Sequence, residues 1–211
     1  MNSCFRSVAA TLMLLLGPAC LSFRPDDALR PNDGVPRSER VTVSYLFSAD
    51  NFSNGSQASY PTELLQEGFV DGMFRSGLFR QPQQIQIYSF GQRPNSDYLL
   101  IAAVSRRETF NLFSGCLGLL TITVWPTIYE TTLEVSIGFV DRSGRPAANI
   151  TRQETVERYQ QLFLMPVSVF AYQSTVESQV VSDLTLSILQ EAEKRGLLSP
   201  QPETGPVAVA E

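Results

Sequence analysis

Residues 110–129, FNLFSGCLGLLTITVWPTIY, carry no charge, and the nearest charged residues are Glu108 and Glu130. About 20 predominantly apolar residues cross a bilayer, so length alone permits a transmembrane helix here. Composition opposes it. Asn111, Ser114, Gly115, Gly118, Thr121, Thr123, Pro126 and Thr127 dilute the run. Its centre alternates, with Leu120, Ile122 and Val124 on one face and Thr121, Thr123 and Trp125 on the other. A period of two carried by β-branched residues predicts a strand, ended at Pro126, which has no N–H to give to a ladder.

The flanks read the same way. Tyr98–Val104 (YLLIAAV) is apolar on both faces, as a central strand is. Residues 131–140 alternate, with Leu133, Val135, Ile137 and Phe139 inward and Thr132, Glu134 and Ser136 outward. Asp141-Arg142-Ser143-Gly144-Arg145-Pro146 is turn chemistry. Residues 149–159 return as a polar strand whose Arg152, Glu154, Glu157 and Arg158 suggest a charged edge. Such a hairpin brings residues 126–129 beside residues 160–166. Trp125, Tyr129, Phe163 and Met165 would then gather at one end of the sheet, as candidates for contact with a membrane or a partner. The competing reading has them filling the core beneath the last helix.

Outward from this centre, residues 41–47 alternate as a strand, residues 50–59 form a polar loop, and residues 83–90 form a further strand. Pro61–Ser76 predicts a helix with Leu65, Phe69 and Met73 on one face, and its Gly68 and Gly72 allow close packing on a sheet. Its Glu63, Glu67 and Asp71 share a face that is better read as solvated than as acid–base machinery or a metal site. After a second apolar run, Leu162–Tyr172, Ser174 to Glu177 has the form of a capping box. The helix it opens repeats Val176, Val180, Leu184 and Ile188 and stops at Gly196. The expected fold is α+β: a four- to five-stranded, largely antiparallel or mixed sheet packed by two helices.

Arg6, the apolar segment Val8–Leu16 and Gly17-Pro18-Ala19-Cys20 have the order of a bacterial secretory leader. The cysteine after small residues resembles a lipobox, although Gly17 stands where that motif usually has leucine; ordinary signal-peptidase cleavage is the alternative. Cys20 is the candidate lipidation site. Leu21 after it, in place of an inner-membrane-retaining aspartate, leans toward the outer membrane. Residues 21–40 carry Pro25, Pro31 and Pro36 among Asp, Asn and Gly and predict a flexible tether spanning roughly 25 Å. The expected organisation is a signal peptide over 1–19, acylated cysteine and tether over 20–40, one domain over 41–197 and a disordered tail over 198–211.

Composition narrows the chemistry. The 211 residues contain no histidine, which removes Ser-His-Asp and Cys-His catalysis and the usual zinc and copper ligand sets. A net charge of −5 without a basic stripe gives no nucleic-acid surface. Cys4, Cys20 and Cys116 match no metal spacing, and Cys116 is expected to be buried in its apolar run. No residues are assigned to catalysis, a metal or a cofactor.

Asp97-Tyr98-Leu99-Leu100, Leu120-Thr121-Ile122-Thr123-Val124-Trp125-Pro126, the hairpin closing at Gly144, Leu162-Phe163-Leu164-Met165-Pro166 and the terminal helix together resemble a group of small, largely uncharacterised bacterial envelope lipoproteins over residues 97–197. The layout is also similar to the anticodon-binding-domain-like fold of the Tol system's periplasmic domain and of lipoproteins of curli secretion and peptidoglycan-synthase activation. The resemblance implies a non-enzymatic, lipid-anchored envelope protein that docks on or helps assemble another envelope component. The alternative is a carrier for a lipid or other apolar ligand. A closed core with an exposed apolar rim would favour docking, and a cavity beneath the last helix would favour carriage.

Overall fold

The hairpin expected at the centre of the chain is the centre of the molecule. In the computed structural model, which describes residues 19–35, 40–86, 96–120, 127–161 and 173–198, strands β5 (Tyr98–Phe110) and β6 (Thr127–Asp141) pair antiparallel along their whole length. Strand β6 then pairs antiparallel with β7 (Pro146–Gln161). The inward set of β6, Leu133, Val135, Ile137 and Phe139, is fully buried. At the tip, Asp141 Oδ1 accepts from Ser143 Oγ at 2.6 Å and from the backbone N–H of Ser143 and Arg145.

Four further strands complete a mixed seven-stranded sheet: β1 (Ala19–Phe23), β2 (Val43–Ser53), β3 (Ser56–Gln57) and β4 (Gln83–Gln84). The order is β1-β7-β6-β5-β2-β3, with β4 also against β2. Strand β2 runs parallel to β5, because the chain between them crosses over through helix α1 (Thr62–Ser76). The expected sheet was smaller. The extra strands are the short β3 and β4, too brief to show a period, and β1, whose residues read as a cleavage junction.

Helices α1 and α3 (Gln173–Lys194) cover one face. Leu65, Phe69 and Met73 of α1 and Val180, Leu184 and Ile188 of α3 are buried there, each contributing about 1.5–3 kcal/mol by leaving water. Gly68 and Gly72 do permit a close approach, but to α3 and not to the sheet. A Cβ on Gly72 would lie 2.5 Å from the Ser182 carbonyl oxygen, and one on Gly68 would collide with the Ser178 carbonyl. The α3 terminus closes as expected: Leu197 N–H donates to Ala192 O and Gly196 N–H to Glu193 O. The opposite sheet face is polar over β6 and β7, with Thr132 bonded to Thr155 and Ser136 to Asn149, while Leu99 and Val140 are buried on it nearer the hairpin tip.

Several local details differ from expectation, among them residues 50–59, which were read as a loop and hold the end of β2 and all of β3. The first half of the uncharged run forms a third helix, α2 (Leu112–Leu120), which was not expected, and residues 121–126, whose alternation carried the strand reading, lie outside the described residues. Phe113, Leu117 and Leu120 fit a helical spacing as well as any strand period, and Asn111 Oδ1 receives the Phe113 N–H as a cap. Strand β7 is not an edge over its last residues, since β1 pairs with residues 157–161. Within the segment read as a tether, residues 24–35 make contacts with the rest of the molecule. Arg24 Nε meets Glu154 at 2.7 Å, and its Nη1 meets Asp183 at 2.5 Å. Asp33 and the Gly34 N–H fasten the far end to Arg75 of α1. Prolines and acids announced a loose chain; its two ionic fastenings involve residues 42 to 159 positions away, which no local pattern reveals.

Candidate functional site

Strands β1, β2, β5, β6 and β7 and all three helices have a terminus at one end of the sheet. In register order across it stand Cys20 of β1, Gln160 of β7 and Thr127 of β6, followed by the end of β5, where Phe110 pairs with Tyr129. In the sequence, residues 121–126 follow α2 and residues 162–172 follow β7. Trp125, Phe163 and Met165 belong to those segments and lie outside the described residues, as does the apolar run 162–172. Tyr129 is placed, half-buried, with its ring centroid 5.1 Å from that of Phe110 and Arg158 stacked 4.2 Å above it. The backbone of Cys20 is the second residue of β1, opposite Gln160.

Helix α2 leaves β5 directly and sits on this stack. A Cβ at Gly115 would collide with the Phe110 ring, so the absence of a side chain lets the helix close on it. The other side of α2 is bare: Leu112 and Phe113 are each 74% exposed, and Cys116, expected in the interior, is an exposed free thiol. No helix among the described residues is long and apolar enough to cross a membrane.

Behind the stack, the core is closed by charge. The Arg106 side chain, 4% exposed, points inward from β5 and donates to Glu177 of α3 from Nε at 2.8 Å and from Nη2 at 3.1 Å. Its Nη2 also meets Glu108 at 2.7 Å, and Glu108 is shared with Arg158 at 3.3 Å. The Tyr60 ring lies 4.2 Å from the Arg106 guanidinium carbon. Burial works to lower the pKa of Arg106, but the bonds and charges of Glu177 and Glu108 outweigh it and raise the value. The Tyr60 phenol is pushed up, first by burial and then by Glu177. Two cations facing two carboxylates leave this cluster formally neutral, so it serves as an internal plug. Glu177, read from sequence as the back-bonding member of a capping box, is a partner of Arg106.

No family model and no curated relative matches this chain. Solved structures with a similar course of chain include a neuraminyllactose-binding hemagglutinin homolog from Helicobacter pylori, at 10% identity and TM-score 0.40 over 83% of this chain and 91% of that one. A minor lipoprotein from Acinetobacter baumannii aligns at 15% identity and TM-score 0.37, over 72% and 94%. A DUF330-family protein from Xanthomonas campestris aligns at 16% and 0.39, over 79% and 94%. These likenesses are too slight to carry a function across.

No group of three or more histidine, cysteine, aspartate or glutamate side chains able to hold a metal occurs among the described residues. Glu63, Glu67 and Asp71 lie exposed along α1, where they border a shallow surface groove with Val70 and Phe74. A second groove is lined by Phe110, Ile128 and Tyr159, the last of which pairs with Leu21 of β1. Both are surface features. Beneath α3, Val180, Leu184 and Ile188 belong to one buried cluster with Leu133, Val135 and Ile137 of β6 and Leu65, Phe69 and Met73 of α1.

Proposed function

We propose that the chain is a non-enzymatic bacterial envelope lipoprotein, anchored through an acylated Cys20 and acting as a docking or assembly component at the periplasmic face of a membrane. One observation carries this reading. The end of the sheet at which Cys20 stands is also the end that presents bare apolar side chains, while the core behind it is closed. A carrier needs a concave apolar chamber with a few convergent polar groups. Here Leu65, Phe69, Met73, Leu184 and Ile188 occupy the place such a chamber would take. Docking, not carriage, fits a filled core with an apolar rim.

Leu21 after the cysteine, in place of an aspartate, favours the outer membrane. Metabolic labelling with a fatty acid tests the anchor: the wild-type chain is expected to incorporate label and Cys20→Ser to lose it. Incorporation that persists in the variant refutes acylation at Cys20. Crosslinking in the native envelope then tests docking, with a single discrete partner as the expected product. An acyl ligand recovered in equal amount with the purified chain, and no crosslinked partner, would restore the carrier reading.

A further inference from the structure

We infer that α2 is an interfacial membrane helix, lying in the plane of the bilayer surface with Leu112, Phe113 and Cys116 turned into the lipid. The inference rests on acylation of Cys20 and extends it from an anchor to a fixed orientation.

The argument begins with the length of chain between anchor and fold. A tether would let the domain hang at any angle, some 25 Å from its anchor. The structure has none on the anchored side: Cys20 is itself a ladder residue, paired with Gln160, and Leu21, Ser22 and Phe23 continue the pairing with β7. An acyl chain on Cys20 would therefore hold this end of the sheet at the headgroup level. Three strand spacings separate β1 from β5, which is about 15 Å. The helix that follows β5 must then lie at or near the same surface.

What α2 presents there suits lipid. No charged residue occurs from Thr109 to Ile128. The two most exposed large apolar side chains apart from Val35 are Phe113 and Leu112, adjacent on its first turn. The protein-facing side is fixed by Gly115 on Phe110, so the exposed side cannot rotate inward without breaking that contact. At nine residues the helix is about 13 Å long, less than half of the bilayer core, so it lies along the surface and does not span. The plug of Arg106, Glu177, Glu108 and Arg158 is turned into the domain, leaving the apolar side chains to meet the membrane. Burial of one leucine or phenylalanine favours the bound state by roughly tenfold or more.

The test uses the full chain purified from the envelope, with a nitroxide on Cys116, reconstituted into phosphatidylethanolamine–phosphatidylglycerol vesicles. The mass of the N-terminal peptide reports acylation independently. We expect an acylated Cys20, and a label that shifts from collision with a water-soluble nickel chelate to collision with oxygen when lipid is present. Phe113→Asp and Leu112→Asp should each reverse that shift with no change in unfolding midpoint, since both side chains are already exposed. An acylated chain whose label stays open to nickel overturns the inference while the lipoprotein reading stands. An unmodified Cys20 overturns both, and the mass distinguishes the two failures. A label shielded in native envelope vesicles but open on pure lipid means that a protein covers α2, which also overturns it.

Discussion

Replacing Glu177 by glutamine removes one charge from the interior and changes almost no volume. The Arg106 side chain it faces is 4% exposed and the Glu177 side chain 2%, so solvent screening is slight. Breaking a buried pair on one side typically costs about 3–5 kcal/mol, because the remaining charge is left without its partner. Glu108 still holds Arg106 at 2.7 Å, which places the expected loss at the lower end, about 3 kcal/mol. The double variant Arg106→Met, Glu177→Leu removes both charges and should return to within about 1 kcal/mol of the wild type. Urea unfolding followed by far-UV circular dichroism measures all three, and equal slopes establish that the unfolding unit is unchanged. Tyr60 supplies an independent reading: with Glu177 gone, its raised pKa should fall toward the ordinary tyrosine value in an ultraviolet titration. A Glu177→Gln loss below about 1 kcal/mol, or a double variant as unstable as the two single variants summed, would refute the idea of a buried neutral plug.

Two other expectations follow from geometry. Gly72→Ala places a Cβ 2.5 Å from the Ser182 carbonyl oxygen and 2.7 Å from Thr185 Cβ, so α1 must move off α3, and a stability loss of about 1–3 kcal/mol is expected by thermal or urea unfolding; an unchanged midpoint would show that the helices can part freely. Asp141 is held below its ordinary value, chiefly by the Ser143 hydroxyl and then by the Arg145 and Ser143 backbone N–H groups. A depressed carboxyl stabilises the fold above its unfolded pKa, and that contribution disappears as pH falls through the lower folded value. The hairpin tip should therefore keep its Gly144 amide shift at pH 4 and lose it only in stronger acid, as nuclear magnetic resonance would show. A midpoint at or above the ordinary aspartate value would contradict this.

Much of the fold was legible because its strongest elements are periodic over many residues. Leu133, Val135, Ile137 and Phe139 announce a strand by alternation, and Val180, Leu184 and Ile188 announce a helix by spacing; each is buried as the pattern requires. The failures lie where no clear period stands or where pairing is nonlocal. Helix α2 was missed because its leucines stand in no clear period, and the features that mark it are the Asn111 cap and the seat of Gly115 on Phe110, a contact between neighbouring elements. Strand β1 has only five residues, and its pairing with residues 157–161 depends on chain about 140 positions away.

The candidate site was half legible for a related reason. Chain direction through the hairpin required the segments holding Tyr129 and Gln160 to meet, and the pairing of Thr127 with Gln160 satisfies that requirement. Charge misled the reading. Glu154 and Arg158 looked like marks of a solvated edge, yet both occupy inward register positions, opposite Leu133 and Tyr129. A charged residue at an inward position must find a counter-charge on whatever covers that face. Glu154 answers Arg24, which also holds Asp183 of α3, and Arg106 answers Glu177. Alternation thus identifies which charges are internal once the register is known, although not their partners. Applied to β5 and β7, that rule singles out Arg106, Glu108, Arg152, Glu154 and Arg158; Arg152, opposite Val135, stays exposed, and the other four lie in ion pairs between sheet and covering elements or between strands. The charges that broke the apolar pattern are therefore the ones that fasten β1 and α3 to the sheet, and they leave the exposed side of α2 as the uncharged surface beside Cys20.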